Sequence, residues 1–178
     1  MELRVLTTSF VEPVSLADMK HYLAIPKEDT TQDQKLGRLI TIARSWLEGR
    51  TALSLTEKSY KVQFIPADSV GGWFELPVSP VSKIDEVKVR GTVVEYEQKG
   101  LNVLWIKPDL VWSTGSDPWS CDVTFTAGAD NETANMIIQA VVTDMYNNIN
   151  TESKEGASIG RLSYEVIRMI ETISEVRI

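Results

Sequence analysis

At 178 residues, with 43% apolar and 24% charged side chains, the chain has the size and composition of one globular domain, or of a compact domain with a sizeable insertion, which excludes a disordered polypeptide. Its single cysteine, Cys121, excludes an internal disulfide, and apolar runs such as Val103-Leu104-Trp105-Ile106 are far too short to cross a bilayer. The formal net charge of −7 is spread along the chain, so there is no basic patch of the kind that neutralises phosphates, and tight nucleic-acid binding is disfavoured.

The opening "MELRVLTTSFVEPVSL" lacks a basic start and an apolar signal core, and the expectation is a soluble protein made in a reducing cytoplasm. The first predicted helix lies in "PVSLADMKHYLAIP". Ser15 is its N-cap, Asp18 brings negative charge to the first turn, and Val14 with Met19 has the spacing of a hydrophobic staple. Leu16, Met19 and Leu23 form one stripe, and Pro26 stops the helix. A second helix follows "KEDTTQD", where Thr31 and Gln34 have capping-box spacing. Leu36, Leu39, Ile40, Ala43, Trp46 and Leu47 repeat along it at helical intervals until the pattern fades near Thr51 to Leu55.

Period two takes over at "YKVQF", where Tyr60, Val62 and Phe64 alternate with polar residues as on a half-buried strand. "WFEL", "IDEVKV", "TVVEY", "LNVLWI" and "CDVTFT" continue the series. Gly71-Gly72, Arg90-Gly91 and Lys99-Gly100 mark the turns, and short connections imply mostly antiparallel pairing. In "LPVSPVSKIDEVKV", Pro77 and Pro80 exclude a helix interior. Helical periodicity returns near Thr133, with Met136, Ile137, Ala140, Val141, Met145 and Ile149 on one broad face that Ile138 and Val142 widen. The polar stretch "NNINTESKEGASIGR" reads as a loop before a last amphipathic helix bearing Leu162, Val166, Ile170 and Ile173.

The fold class expected is α+β: a helical core of about four helices, with an antiparallel β module inserted between the second and third. Residues 1–58 give the N-terminal helical part, 59–127 the β insertion, and 128–178 the C-terminal helical part with its loop and terminal helix. The chain thus reads as helical at both ends.

Little in the sequence points to chemistry. His21, the only histidine, falls about 140° round the first helix from Leu16, off the apolar stripe, and reads as solvent-exposed. One His and one Cys far apart give no metal spacing, and no nucleophile-elbow, P-loop or dinucleotide motif is present. Glu75, Asp85, Glu86 and Asp122 lie in or beside the β module and read as solvated strand faces before they read as a hydrolytic pair. Asn131, in "NET", reads as a helix-entry residue. Among the five tryptophans, Trp46 and Trp105 read as packing residues, whereas Trp73, Trp112 and Trp119 are candidates for a contact surface on the insert. The reading is of a non-enzyme without catalytic residues, metal or cofactor.

The order of these segments carries a resemblance. A capped "PVSLADMKHYL" helix, a second helix with "ARSWLE", then "LPVSPVSKIDEVKV", "VTFTAG" and a helix ending "MYNN" together resemble the bacteriophage head–tail connector (adaptor or head-completion) proteins, in the longer branch with a β insertion. The resemblance spans roughly Pro13 to Asn148; Ala129 stands where members often carry an aromatic residue, and Thr133-Ala134 where they often carry a proline. It implies a virion protein at the head–tail junction, in a homo-oligomeric ring, commonly a dodecamer, beneath the portal. Such a ring extends the DNA channel and docks the next neck or tail-completion component, with DNA passing through without sequence-specific binding. Leu162, Val166, Ile170 and Ile173 then become a candidate portal-docking helix. The alternative is a non-catalytic binding module using the aromatic residues of the insert.

Overall fold

The computed structural model describes residues 1–8, 11–65, 68–107, 121–151 and 164–175, which form an α+β fold of eight strands and four helices. In chain order these are β1 (Glu2–Thr8), α1 (Leu16–Tyr22), α2 (Asp33–Thr51), β2 (Lys58–Phe64), β3 (Trp73–Glu75), β4 (Val81–Val89), β5 (Thr92–Val93), β6 (Glu97–Lys99), β7 (Val103–Trp105), β8 (Cys121–Ala127), α3 (Glu132–Thr151) and α4 (Tyr164–Glu175). The chain divides into two units: Met1–Phe10 with Ala52–Ala129, and Val11–Thr51 with Asp130–Ile178.

The first unit holds two antiparallel sheets, one in the order β1-β2-β8-β4-β5 and the other β3-β7-β6. Alternation along β2 and β8 turns Tyr60, Val62, Phe64, Cys121, Val123, Phe125 and Ala127 into one core. Phe74, Leu104 and Ile106 of the smaller sheet and its margin join the same cluster. Fully burying each large apolar side chain contributes about 1.5–3 kcal/mol.

On β4 the buried residues Val81, Ile84, Val87 and Val89 are spaced three, three and two apart, which a regular strand cannot place on one face. Two register shifts against β8 resolve this, at Ser82 and Asp85. Each inserts one extra residue and returns the next apolar side chain to the core face. Both extra residues are tied to Thr126: the Ser82 hydroxyl donates to its carbonyl at 3.1 Å, and its hydroxyl donates to Asp85 at 3.3 Å. The strand closes beyond β8 at Gly128, whose φ of 138° only glycine adopts readily. A Cβ there would lie 2.3 Å from the Thr56 carbonyl oxygen.

The start of the chain departs from the helical reading. Residues 2–8 form β1, paired with β2 through Leu3↔Val62 and Val5↔Tyr60, and the whole strand is exposed. Its alternation, "ELRV", had the period-two signature all along.

In the second unit, Ser15 caps α1 as read: its hydroxyl accepts from the Asp18 amide at 3.1 Å, and Val14 and Met19 are both buried. Thr31 does not make the capping box. Its amide and hydroxyl both donate to Asp29 Oδ1, at 3.0 and 2.5 Å, so the residue serves the turn before α2. Leu36, Leu39, Ile40, Ala43 and Leu47 form the buried stripe of α2. Trp46 is only half-buried, with the Arg50 guanidinium 5.0 Å from its ring centre, so it edges the core and does not fill it.

Helix α3 opens at Asn131, whose side-chain oxygen accepts from the Ala134 amide at 3.0 Å. Its buried face is narrower than its composition suggests: Ala134, Ile137, Ile138, Val141 and Val142 are buried, whereas Met136 is exposed. Helices α2 and α3 pack together, with Lys35 Nζ 4.7 Å from the centre of the Tyr146 ring, and α4 packs on both.

Polar contacts tie the segment entering this unit to α2. Arg44 Nε donates to Glu12 at 2.6 Å and Nη1 to Glu48 at 2.8 Å, while the Thr41 hydroxyl donates to Glu12 at 2.9 Å. Burial opposes the Arg44 charge, but its hydrogen bond to Glu12 and the charges of Glu48 and Glu12 outweigh it and raise the guanidinium pKa above its usual value. Lys20 is also buried, its ammonium 2.5 Å from Asp33 and 3.3 Å from the Lys27 carbonyl.

Candidate functional site

The residues that chemistry would need are dispersed or already engaged. His21 is exposed on α1. Cys121 is buried on β8, and burial together with the neighbouring Asp122 carboxylate pushes its thiol up to about 12, which leaves it unreactive at neutral pH. Each of the four carboxylates considered for hydrolysis has its own partner. Glu75 accepts from Asn102 at 3.3 Å, Asp85 meets Lys83 at 2.6 Å, Glu86 meets Lys88 at 2.7 Å, and Asp122 meets Lys61 at 3.0 Å. Among the described residues no group of His, Cys, Asp and Glu is placed to hold a metal ion, and no helix is long and apolar enough to cross a membrane.

What the molecule offers is surface. Trp73 on β3 is 42% exposed and sits directly across from Trp105 on β7, with ring centres 6.2 Å apart. Trp112 and Trp119 lie outside the described residues, as does Leu162. Val166, Ile170 and Ile173 are buried, as α4 lies on α2 and α3. Ile167 and Met169, 44% and 36% exposed, flank that buried stripe, one on each side of it. On α2, Gln34, Gly37, Arg38, Thr41 and Ile42 line a shallow depression.

Sequence reasoning missed the surface on β1. Leu3 and Val5 stand opposite the buried Val62 and Tyr60 and therefore share their face, yet both remain exposed. The inner face of the larger sheet thus runs past its own cover at the β1 edge.

No protein-family model matches the chain, and no curated protein matches it. Solved structures do share its fold. A chain in the neck of an empty gene transfer agent (GTA) particle, computed with C6 symmetry, superposes with a TM-score of 0.75 at 18% identity, over 100% of this chain and 97% of that one. Chains in the virion of a native GTA particle, and in the neck of a native GTA particle computed with C12 symmetry, give 0.72 and 0.68 with the same identity and coverage. At that identity the likeness establishes the fold.

Proposed function

We propose that this chain is a structural subunit of a phage-type neck: a head–tail connector of the adaptor kind, acting in the virion as a ring below the portal. In this role it extends the DNA channel and docks the next neck or tail component. The observation that carries the reading is the end-to-end likeness to neck chains, covering 100% of this chain and 97% of the other. The order of sequence segments, from the capped first helix to "VTFTAG", supports the same reading independently.

The physical character of the molecule suits a mechanical role. Its polar side chains pair with one another across strand faces and helix turns, and its excess negative charge of −7 repels a DNA backbone that has to slide past. Since Val166, Ile170 and Ile173 are turned onto α2 and α3, α4 offers a portal Ile167 and Met169 unless it leaves its seat.

Electron microscopy of the purified protein, alone and with its portal, tests the proposal. Annular particles, or an annulus added to the portal, are expected; a monomer that never joins the portal sinks it. A second reading, a non-catalytic binding module, draws on the exposed Trp73 beside Trp105. A tryptophan fluorescence titration with oligosaccharides and single-stranded DNA decides it, and an unchanged spectrum retires it.

A further inference from the structure

The two sheets of the first unit each end in an exposed outer strand, and the two strands are complementary. Strand β1 is one outer strand of the five-stranded sheet, opposite the two-residue β5, and β6 is one outer strand of the three-stranded sheet, opposite β3; every residue of β1 and β6 is exposed. Each presents a charge pair on alternate residues. Glu2 and Arg4 stand 2.6 Å apart on β1, and Glu97 and Lys99 stand 3.3 Å apart on β6.

We propose that β1 of one copy pairs antiparallel with β6 of a second copy of this chain, in the register Glu2↔Lys99, Leu3↔Gln98 and Arg4↔Glu97. Resting on the ring reading above, this names the subunit contact.

Three features select the arrangement. The first is charge: this register sets both carboxylates against cations, whereas a parallel pairing over the same residues sets Glu2 against Glu97 and Arg4 against Lys99. The second is face parity. Residues directly opposite in a sheet point the same way, so Leu3, on the face of the buried Val62, meets Gln98, on the face of the buried Leu104. Both core faces then lie on one side of the joined sheet, and the charges lie on the other. A slip of one residue breaks both matches.

The third feature is topology. The contact joins two different edges, so the copy that gives β1 keeps its β6 and the copy that gives β6 keeps its β1 for the next neighbour, as a closed ring of identical subunits requires. Charged residues on an outer strand commonly serve to discourage pairing. Here both edges run acid then base along the chain, so only the antiparallel pairing sets opposite signs against each other, which selects a partner.

Cross-linking tests the register. A Leu3→Cys chain mixed with a Gln98→Cys chain is expected to give a disulfide-linked dimer under mild oxidation, while neither variant alone does so; Cys121 is buried and stays out of the exchange. Reversing the charges with Glu2→Arg and Arg4→Glu is expected to weaken self-association about tenfold. Adding Glu97→Lys and Lys99→Glu in the same chain is expected to restore it, as read by sedimentation velocity. Dimers from Leu3→Cys alone would assign a β1–β1 contact and overturn the proposal, as would an absent cross-link in the mixture or a failure of the charge swap to restore association. Rings on the portal without the cross-link retire this contact and leave the neck role. A cross-linked ladder that never joins a portal does the reverse.

Discussion

Phe64 of β2 and Phe74 of β3 meet with ring centres 5.1 Å apart and planes tilted by 49°, which joins the inner faces of the two sheets. Both rings are almost wholly buried, so truncating either leaves a void that its neighbours only partly fill. Phe74→Ala is expected to lower unfolding stability by about 3–5 kcal/mol, measured by urea denaturation. A loss well under a kilocalorie would mean that the smaller sheet contributes little to the core.

Gly128 supplies a different kind of constraint. Its amide donates to the Pro80 carbonyl at 3.0 Å while its α-carbon lies against the backbone of Thr56 and Glu57. Gly128→Ala adds both strain at positive φ and a clash with a backbone carbonyl that has no rotamer to yield. We expect destabilisation of at least about 1–3 kcal/mol, checked by thermal unfolding. Gly37→Ala is the control: nothing lies within 4 Å of its added Cβ, and replacing glycine within a helix should stabilise by up to about 1 kcal/mol.

Helix α4 has a seated stripe with one exposed apolar residue on each flank. Ile170→Asp or Ile173→Asp buries an unpaired carboxylate against α2 and α3 and is expected to lower the unfolding temperature by many degrees. Ile167→Asp and Met169→Asp should leave that temperature nearly unchanged. If these flank variants also stop the protein joining its portal, the exposed flanks of α4 belong to a docking surface. If Ile170→Asp leaves the transition in place, α4 is not seated.

Cys121 gives the pH dependence. Its thiol is raised from 9.0 to about 12 in the folded chain, by burial first and Asp122 second. Below the unfolded value both states hold the proton and nothing changes. Between the two values only the unfolded chain ionises, so stability falls as pH rises through that window. Urea midpoints should decline above about pH 9, and Cys121→Val should flatten that part of the decline. Labelling by a thiol reagent at neutral pH should be slow in buffer and rapid in urea.

The sequence made the second unit readable wherever local chemistry decides structure. Ser15, Val14 and Met19 fixed the entry to α1 because a cap and a staple act over a single turn. The stripe from Leu36 to Leu47 on α2 was equally plain. Thr31 misled because its hydroxyl had two short-range options and Asp29 lies closer along the chain than an amide in the following turn. On β4, the irregular spacing of Val81, Ile84 and Val87 was visible, but the bulges that explain it exist only against β8, some forty residues on in the chain. The same holds for β1: an exposed edge strand has no buried face to advertise it, and its partner β2 is more than fifty residues away. The candidate contact surface was legible only at Trp73, since an edge is defined by which strands fail to continue the sheet.

Both units are assembled from two stretches of chain, with the polypeptide crossing between them three times. Neither can therefore be cut out as a continuous fragment, and neither is completed when its first piece leaves the ribosome. Helices α1 and α2 must wait for α3 and α4, with the whole of the β2–β8 region synthesised in between. Nascent chains arrested before residue 130 should expose the apolar stripe of α2 to solvent and to chaperones, so folding of the helical unit is coupled to the last part of translation.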